Sequence, residues 1–466
     1  MQDELVSVIA TINSYMFDYV LTFLLVAVGL WFSFKTKFVQ VRCFIEGVRI
    51  IHKNMSFSDD RQKVGITSFR ALLNAIGAQV GTGNIVGAAG AILVGGPGAI
   101  FWMWITGFLG MATMYAETVC ALSTRQIEFD GTIKGGPAYY IRTAFKSRLG
   151  KFLAAFFAVS TIASAGLSNL MIQSNSIASN LNNTFGVPHW VTGFLLTVIC
   201  GFILQGGINR ISAVTEKLVP IMSYIFIGGA VAVLIARIQY LPDALYMIFY
   251  YAFEPQAIIG GGFGEALRIA VGQGVKRGVF SNEAGMGSVP HAHVNATADN
   301  PHSQGVIAMH GVFFDTFVIL TLNALVIIST LYTSDGILFN GYRGEVTTII
   351  NAENLTQVAF GSVLDLGNFE GFGAQFVTFC LFLFTFSTIL VTYTYGKMNI
   401  IYLFGTKADR SYFVLILFLI FIGTLTGNEL MWEINDLSNG FMVIPNVLAL
   451  FILTDIVKNS SAGRKK

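Results

Sequence analysis

Apolar residues fall into long unbroken runs separated by short clusters of charged residues, Gly and Pro. A helix needs about 20 apolar residues to cross the hydrocarbon layer of a bilayer. Eleven runs near that length can be placed, over residues 17–34, 69–93, 98–122, 152–176, 190–205, 212–236, 258–289, 306–331, 372–404, 412–426 and 430–454. A transmembrane β-barrel would instead need many stretches of about ten residues with alternating polarity. The pattern therefore predicts an all-α integral membrane protein. Composition agrees: 54% of residues are hydrophobic, 12% are charged and the mean hydropathy is +0.66, against about 25% charged in soluble domains. The 41 Phe and 49 Gly suit helices packed closely on one another and on lipid.

The net charge of +2 says little, but the placing of the bases orients the chain. Lys35, Lys37, Arg42, Arg49, Lys53, Arg61, Lys63 and Arg70 fall in the first connection, and Arg125, Lys134, Arg142, Lys146, Arg148 and Lys151 in the third. Lys458, Arg464, Lys465 and Lys466 form the tail. The opposite connections hold Arg237 and Arg343 with the acids Asp335, Glu345, Glu353, Asp365 and Glu370. Basic connections stay in the cytoplasm, so the expected protein is multi-pass in a cell membrane, with the N-terminus outside and the C-terminus inside. The acidic start Met-Gln-Asp-Glu gives no sign of a cleavable signal peptide. Cys43, Cys120, Cys200 and Cys380 stand far apart without a CxxC pair and read as buried apolar side chains.

Two runs are interrupted. Gly77-Ala78-Gln79-Val80-Gly81-Thr82-Gly83-Asn84-Ile85-Val86-Gly87 mixes glycine with amide and hydroxyl side chains. Each glycine costs a helix up to about 1 kcal/mol relative to alanine. Close helix packing would explain the glycines but not Gln79, Thr82 and Asn84, so local unwinding is expected. Phe280-Ser281-Asn282-Glu283-Ala284-Gly285-Met286-Gly287-Ser288, with Pro290 beyond, is the second interruption. Apart from the first run, the rest divide five and five, each half opening on an interrupted segment. Because five is odd, the halves would be oriented oppositely. Paired breaks in inverted halves mark the binding site of a secondary transporter. The expected division is residues 1–67 (first helix and basic linker), 68–238 and 239–455 (the two repeats), and 456–466 (basic tail).

These residues, with Gly95-Gly96-Pro97-Gly98-Ala99-Ile100-Phe101-Trp102-Met103-Trp104, Gly110-Met111-Ala112-Thr113, Tyr115-Ala116-Glu117 and Gly135-Gly136-Pro137-Ala138-Tyr139-Tyr140, resemble the sodium:alanine (alanine or glycine:cation) symporter family. The likeness runs from about Phe69 to Tyr395. It implies a leucine-transporter-like fold of five plus five helices with one extra N-terminal helix. It also implies a small neutral amino acid held by Thr82, Gly83 and Asn84 in the first break and by Phe280, Ser281 and Asn282 in the second, with Gln79 and Gln173 as further pocket members. The coupling sodium would sit on the carbonyls of Gly77 and Val80 and the hydroxyls of Ser387 and Thr388, chosen over Thr385. One departure stands out: Thr392 replaces a tryptophan common in the family, and Lys397 follows where an acid is common. A missing indole implies a roomier pocket, admitting serine or glutamine.

Three acids fall at helix depth. Glu117 precedes Arg125 by about 12 Å of helical rise and reads as interfacial. Asp315, mid-run, costs several kcal/mol unless paired or solvated. Glu283 could receive an ammonium or tie down freed N–H groups. His291, His293 and His302 read as a cytoplasmic loop rather than a metal cluster. No GxxxxGK[ST] loop occurs, which disfavours an ATP-driven pump, and no nucleophile, metal cluster or acid pair suggests an enzyme. The expected partners are a small neutral amino acid, sodium and the lipid bilayer, with no cofactor, nucleic acid or obligatory protein partner. Proton coupling through Asp315 or Glu283, with a larger neutral amino acid as substrate, is the alternative.

Overall fold

A computed structural model describes residues 2–54, 65–129, 133–255, 262–339, 350–365, 371–427 and 429–462. Arg61, Lys63, Arg343, Glu345, Glu370, Arg464, Lys465 and Lys466, and the start of the seventh run at 258, lie outside the described residues.

Regular structure in the described residues is helical apart from a small antiparallel pair, Gln126–Ile127 with Ile133–Lys134, and a single parallel bridge between Ile66 and Ala296. In chain order the helices are α1 (Glu4–Lys35), α2 (Phe44–Asn54), α3 (Ser68–Gln79), α4 (Gly83–Gly95), α5 (Ala99–Thr124), α6 (Pro137–Ala144), α7 (Arg148–Phe185), α8 (His189–Leu204) and α9 (Gly207–Ala236). They continue with α10 (Leu241–Phe253), α11 (Phe263–Asn282), α12 (Pro301–Tyr332), α13 (Leu355–Leu364), α14 (Phe372–Phe404), α15 (Thr406–Leu425), α16 (Glu429–Ile452) and α17 (Thr454–Ala462). Among the described residues seven helices are long and apolar enough to cross a membrane, or nine if the bent pairs α3–α4 and α16–α17 each count as one. The first apolar run proves to be part of a helix that begins well before residue 17. Conversely α11 is shorter than its run and carries Glu265, Arg268, Lys276 and Arg277.

Local sequence sets several ends. Thr67 accepts a hydrogen bond from the Arg70 N–H ahead of α3, and Asn300 accepts one from Ser303 N–H with Pro301 at the first helical position of α12. Gly186 ends α7 in the left-handed conformation that glycine adopts without strain. Widened π-type turns interrupt α7 at Ser164–Ser168 and α12 at Phe314–Leu320. Such turns mark functional positions more often than chance, and both carry side chains of the site below.

Phe194, Leu195, Val198 and Phe202 on α8, and Val414, Leu415 and Phe418 on α15, are exposed large apolar residues, as faces turned to lipid require. The interior is close-packed. Gly166 of α7 and Gly396 of α14 face one another, so that a Cβ on Gly396 would lie 2.7 Å from the Gly166 Cα and 2.0 Å from the Tyr412 hydroxyl. Gly396→Val is therefore expected to lower the thermal stability of the purified protein by several degrees, as overpacking costs about 1–3 kcal/mol; a melting curve of the detergent-solubilised variant checks it. Beyond the end of α12, the Arg237 guanidinium grips Asp335 and holds its carboxyl down at about 2.

Candidate substrate and cation site

The glycine-rich segment breaks the helix as its composition predicts. α3 ends at Gln79, Val80 is extended, and α4 starts at Gly83 with its axis turned by 49°. Carbonyls at the end of α3 lose their helical partners and turn to α14. Thr388 Oγ1 lies 3.2 Å from the Gly77 carbonyl oxygen, 3.4 Å from that of Ala78 and 3.5 Å from that of Val80. Ser387 Oγ lies 3.0 Å from the Gly77 oxygen. One hydroxyl hydrogen cannot serve three carbonyls at once, so the cluster has a surplus of oxygen lone pairs. Carbonyl and hydroxyl oxygens gathered in this way are the ligand set of a hard cation. A Cβ at Gly81 would lie 2.7 Å from Thr388 Oγ1, so any larger residue there would have to push that hydroxyl aside.

Against this break lies a small cavity walled by α7, α11, α14 and α16, with Gln79, Thr82, Gly83, Gln173 and Phe280 among its lining residues. Gln173 donates its amide to Thr82 Oγ1 at 3.1 Å and to Asn169 Oδ1 at 2.9 Å. Gln79 donates to the Asn282 carbonyl at 2.7 Å. The Oε1 atoms of both glutamines, and Nδ2 of Asn435 on the opposite wall, are buried without a hydrogen-bond partner among the described residues. A buried unpaired polar atom costs about 1–3 kcal/mol, which a ligand with its own donors and acceptors would relieve. Phe280 closes one side, its ring 5.1 Å from that of Trp432.

Asn84, Ser281 and Asn282 sit elsewhere than the sequence suggested. They are buried but do not line this cavity. Asn84 turns inward because the widened turn of α12 presents a carboxylate there: its Nδ2 donates to Asp315 Oδ1 at 2.6 Å, while its Oδ1 accepts from Gly81 N–H at 3.1 Å. Ser281 donates to the same carboxylate at 2.9 Å and Thr316 donates to Oδ2 at 3.0 Å. Asn282 Oδ1 accepts from Ala284 N–H and holds the turn that follows α11. Asp315 thus ties both breaks to α12. Thr392 is likewise absent from the lining; its hydroxyl donates to the Thr388 carbonyl at 2.7 Å on its own helix.

The profile of the family described as the Sodium:alanine symporter family matches residues 2–463. The chain belongs to the sodium:alanine symporter family. It is similar to the Sodium/alanine symporter AgcS of Methanococcus maripaludis, at 36% identity over 97% of this chain and 96% of that one. It is also similar to the Probable sodium/glutamine symporter GlnT of Bacillus subtilis (35% identity, 98% and 90% covered) and to the Amino-acid carrier protein AlsT of the same organism (33%, 94% and 87%). Amino-acid and cation symport across a membrane, rather than catalysis, is therefore the activity class.

In this sodium:alanine symporter family member the second break is a loop rather than a bent helix. Glu283, at φ +56°, stops α11, and Gly285 and Gly287 turn the chain at φ +89° and +79°. Glu283 lines the cavity and accepts from Ser288 Oγ at 2.5 Å. Glu117 is not interfacial. It is fully buried, accepting from Gly287 N–H at 3.0 Å and from Asn446 Nδ2 at 2.6 Å, so that α5 and α16 hold the loop between them. His291 and His293 are not solvated either: they are buried, with Asn399 donating to His291 Nε2 and Gln304 donating to His293 Nδ1. Lys397 pairs with Asp409 at 2.8 Å, and Lys276 with Asp436 at 2.7 Å. Sequence reasoning overlooked Ser164, Asn435 and Asn439, which line the cavity and bond to one another. Their signal was available: Asn435 and Asn439 stand four residues apart, on one face of a helix, with Asp436 and Ser438 between them.

Proposed function

We propose that the protein is a sodium-coupled symporter of a small neutral amino acid, alanine or glycine in class, working by alternating access. The proposed architecture is the leucine-transporter-like five plus five inverted repeat with α1 as the extra helix, eleven spans in all, N-terminus outside and C-terminus in the cytoplasm. In this reading Gln79, Thr82, Gly83, Gln173 and Phe280 contact the amino acid, Asn84 and Ser281 act from behind through Asp315, and Asn282 acts through its carbonyl bond to Gln79. Sodium binds at the carbonyls of Gly77 and Val80 and the hydroxyls of Ser387 and Thr388. The observation that carries the reading is the surplus of oxygen acceptors around Thr388 on the break that also walls the cavity. A cation there would stiffen the same segment that receives the substrate, which couples the two binding events. One sodium ion supplies about 2.3 kcal/mol per 100 mV and about 1.4 kcal/mol per tenfold gradient, enough for accumulation of several hundredfold.

Thr388→Ala is expected to raise the sodium concentration for half-maximal uptake by about tenfold, the equivalent of one ligand worth about 1.4 kcal/mol, with little change in the amino-acid concentration needed at saturating sodium. Uptake measured against a sodium series in membrane vesicles checks it, and an unchanged sodium dependence would move the cation elsewhere. A second reading is proton-coupled uptake of a larger neutral amino acid such as glutamine or serine: the buried Asp315 carboxyl speaks for the proton, and the likeness to the Probable sodium/glutamine symporter GlnT speaks for the larger substrate only. Competition separates the substrates: serine and glutamine should suppress labelled-alanine uptake under the second reading, whereas competition by glycine and alanine alone would show that Phe280, Met286 and Asn435, which line the cavity, leave no room for them.

A further inference from the structure

On the face of the molecule where α2 meets the start of α12, three side chains of different chemistry converge. Cys43 immediately precedes α2, Glu46 lies in its first turn, and His302 follows Pro301 in the first turn of α12. One ligand atom from each, a sulfur, an oxygen and a ring nitrogen, lies within 4.8 Å of the others. His302 Nε2 is 3.5 Å from Glu46 Oε1. Tetrahedral zinc holds nitrogen and oxygen ligands about 2.0–2.2 Å from the metal, hence roughly 3.4 Å from one another. The pair already stands near that separation, and small rotations would bring the sulfur in.

The surroundings favour a metal over a bare cluster. The other ring nitrogen of His302, Nδ1, lies 2.7 Å from the hydroxyl of Tyr115, a buried residue of α5. A metal-bound histidine characteristically uses its second nitrogen to donate to such an acceptor, which fixes the ring and leaves the first nitrogen's lone pair for the ion. Metal binding takes the tautomer with the proton on Nδ1, which turns the lone pairs of Nε2 and of the Glu46 carboxylate toward an ion between them. Cys43 is buried, while Glu46 and His302 keep 22% and 13% of their side-chain surface exposed, so the cluster lies just beneath the surface. The packing is firm: His310, two turns further along α12, lies 3.1 Å from the Phe44 carbonyl through Nε2.

We propose that Cys43, Glu46 and His302 form a site for one zinc ion, or a similar borderline transition metal, with water completing the tetrahedron. Sulfur, imidazole and carboxylate together select such metals over sodium, calcium or magnesium. Binding displaces the Cys43 thiol proton to solvent, so affinity rises with pH. The bound ion joins α2, which precedes α3 in the chain, to α12, the helix that carries Asp315. The site is separate from the sodium and amino-acid sites and stands or falls independently of them.

Full-length protein purified in detergent, stripped with chelator and titrated with zinc against a chromophoric chelator, tests this. One equivalent is expected for the wild type and for Cys200→Ser, with affinity lowered at least tenfold in Cys43→Ser and in His302→Gln. Replacing zinc with cobalt should give a thiolate-to-cobalt charge-transfer absorption that Cys43→Ser lacks. Should Cys43→Ser not fold, Glu46→Gln and His302→Gln carry the same comparison, with sodium-driven uptake as the check on folding. Failure of the wild type to bind an equivalent, or zinc affinity unchanged in His302→Gln and Glu46→Gln, overturns the proposal.

Discussion

Asn84→Ala is expected to cut the initial rate of amino-acid uptake roughly a hundredfold while the variant still reaches the membrane in near-normal amount. The carboxamide does two jobs at once, accepting from the Gly81 N–H that the break leaves exposed and donating to the buried Asp315 carboxylate. A hydrogen bond to a charged group is worth about 1.5–3 kcal/mol and an orphaned buried N–H about 1–3 kcal/mol. Both losses fall on the conformation in which the two breaks are joined through α12. At about 1.4 kcal/mol per factor of ten, a loss near 3 kcal/mol depopulates that conformation a hundredfold. Surrounding helices carry the fold itself, so abundance should change far less than rate. Asn84→Asp combined with Asp315→Asn restores one carboxylate and one carboxamide at the same junction and should recover a measurable part of the uptake. Normal transport by Asn84→Ala would show that the junction is scaffolding only.

Gly81→Val should abolish uptake altogether. Its Cβ would stand 2.7 Å from Thr388 Oγ1, with Gln173 Oε1 at 3.5 Å, so the branched side chain enters both the carbonyl cluster and the cavity. Forced overpacking costs about 1–3 kcal/mol by itself, and here relief is available only by moving the hydroxyl or the glutamine. Gly81→Ala, with one carbon to accommodate, should retain slow uptake that needs several times more sodium. Uptake and sodium dependence of the two variants, compared at matched expression, check the pair; wild-type behaviour of Gly81→Val would mean that neither Thr388 nor Gln173 acts in transport.

The break itself was legible because glycine, amide and hydroxyl residues inside an apolar run have few uses other than unwinding a helix in a protected place. That Gly77 and Val80 lie beside Ser387 and Thr388, or Gln173 beside Thr82, could be anticipated only through the family likeness. Those pairs are separated by long stretches of chain. Glu117 was misread because the linear sequence offers Arg125 as its nearest charge, whereas its true partners, Gly287 and Asn446, come from two other elements. Asn84 was expected to face the cavity since an amide in an unwound segment suggests a ligand; the widened turn that brings Asp315 against it leaves no mark in hydrophobic periodicity. The sequence alone does not say which side of α16, with Asn435, Asp436 and Asn439, faces inward. One side of that helix meets the cavity, and only packing reveals which.

Coupling of sodium to amino-acid accumulation is the claim on which the rest depends, and reconstituted vesicles address it directly. Purified protein in sealed liposomes is given labelled alanine at equal concentration on both sides and an inward sodium gradient, with the membrane potential set negative inside. The account predicts uphill accumulation that rises with the gradient and the potential, collapses when sodium is replaced by potassium, and is absent in Gly81→Val. Accumulation driven equally well by a proton gradient without sodium, or flux that stops at equal concentrations whatever the sodium gradient, would contradict it.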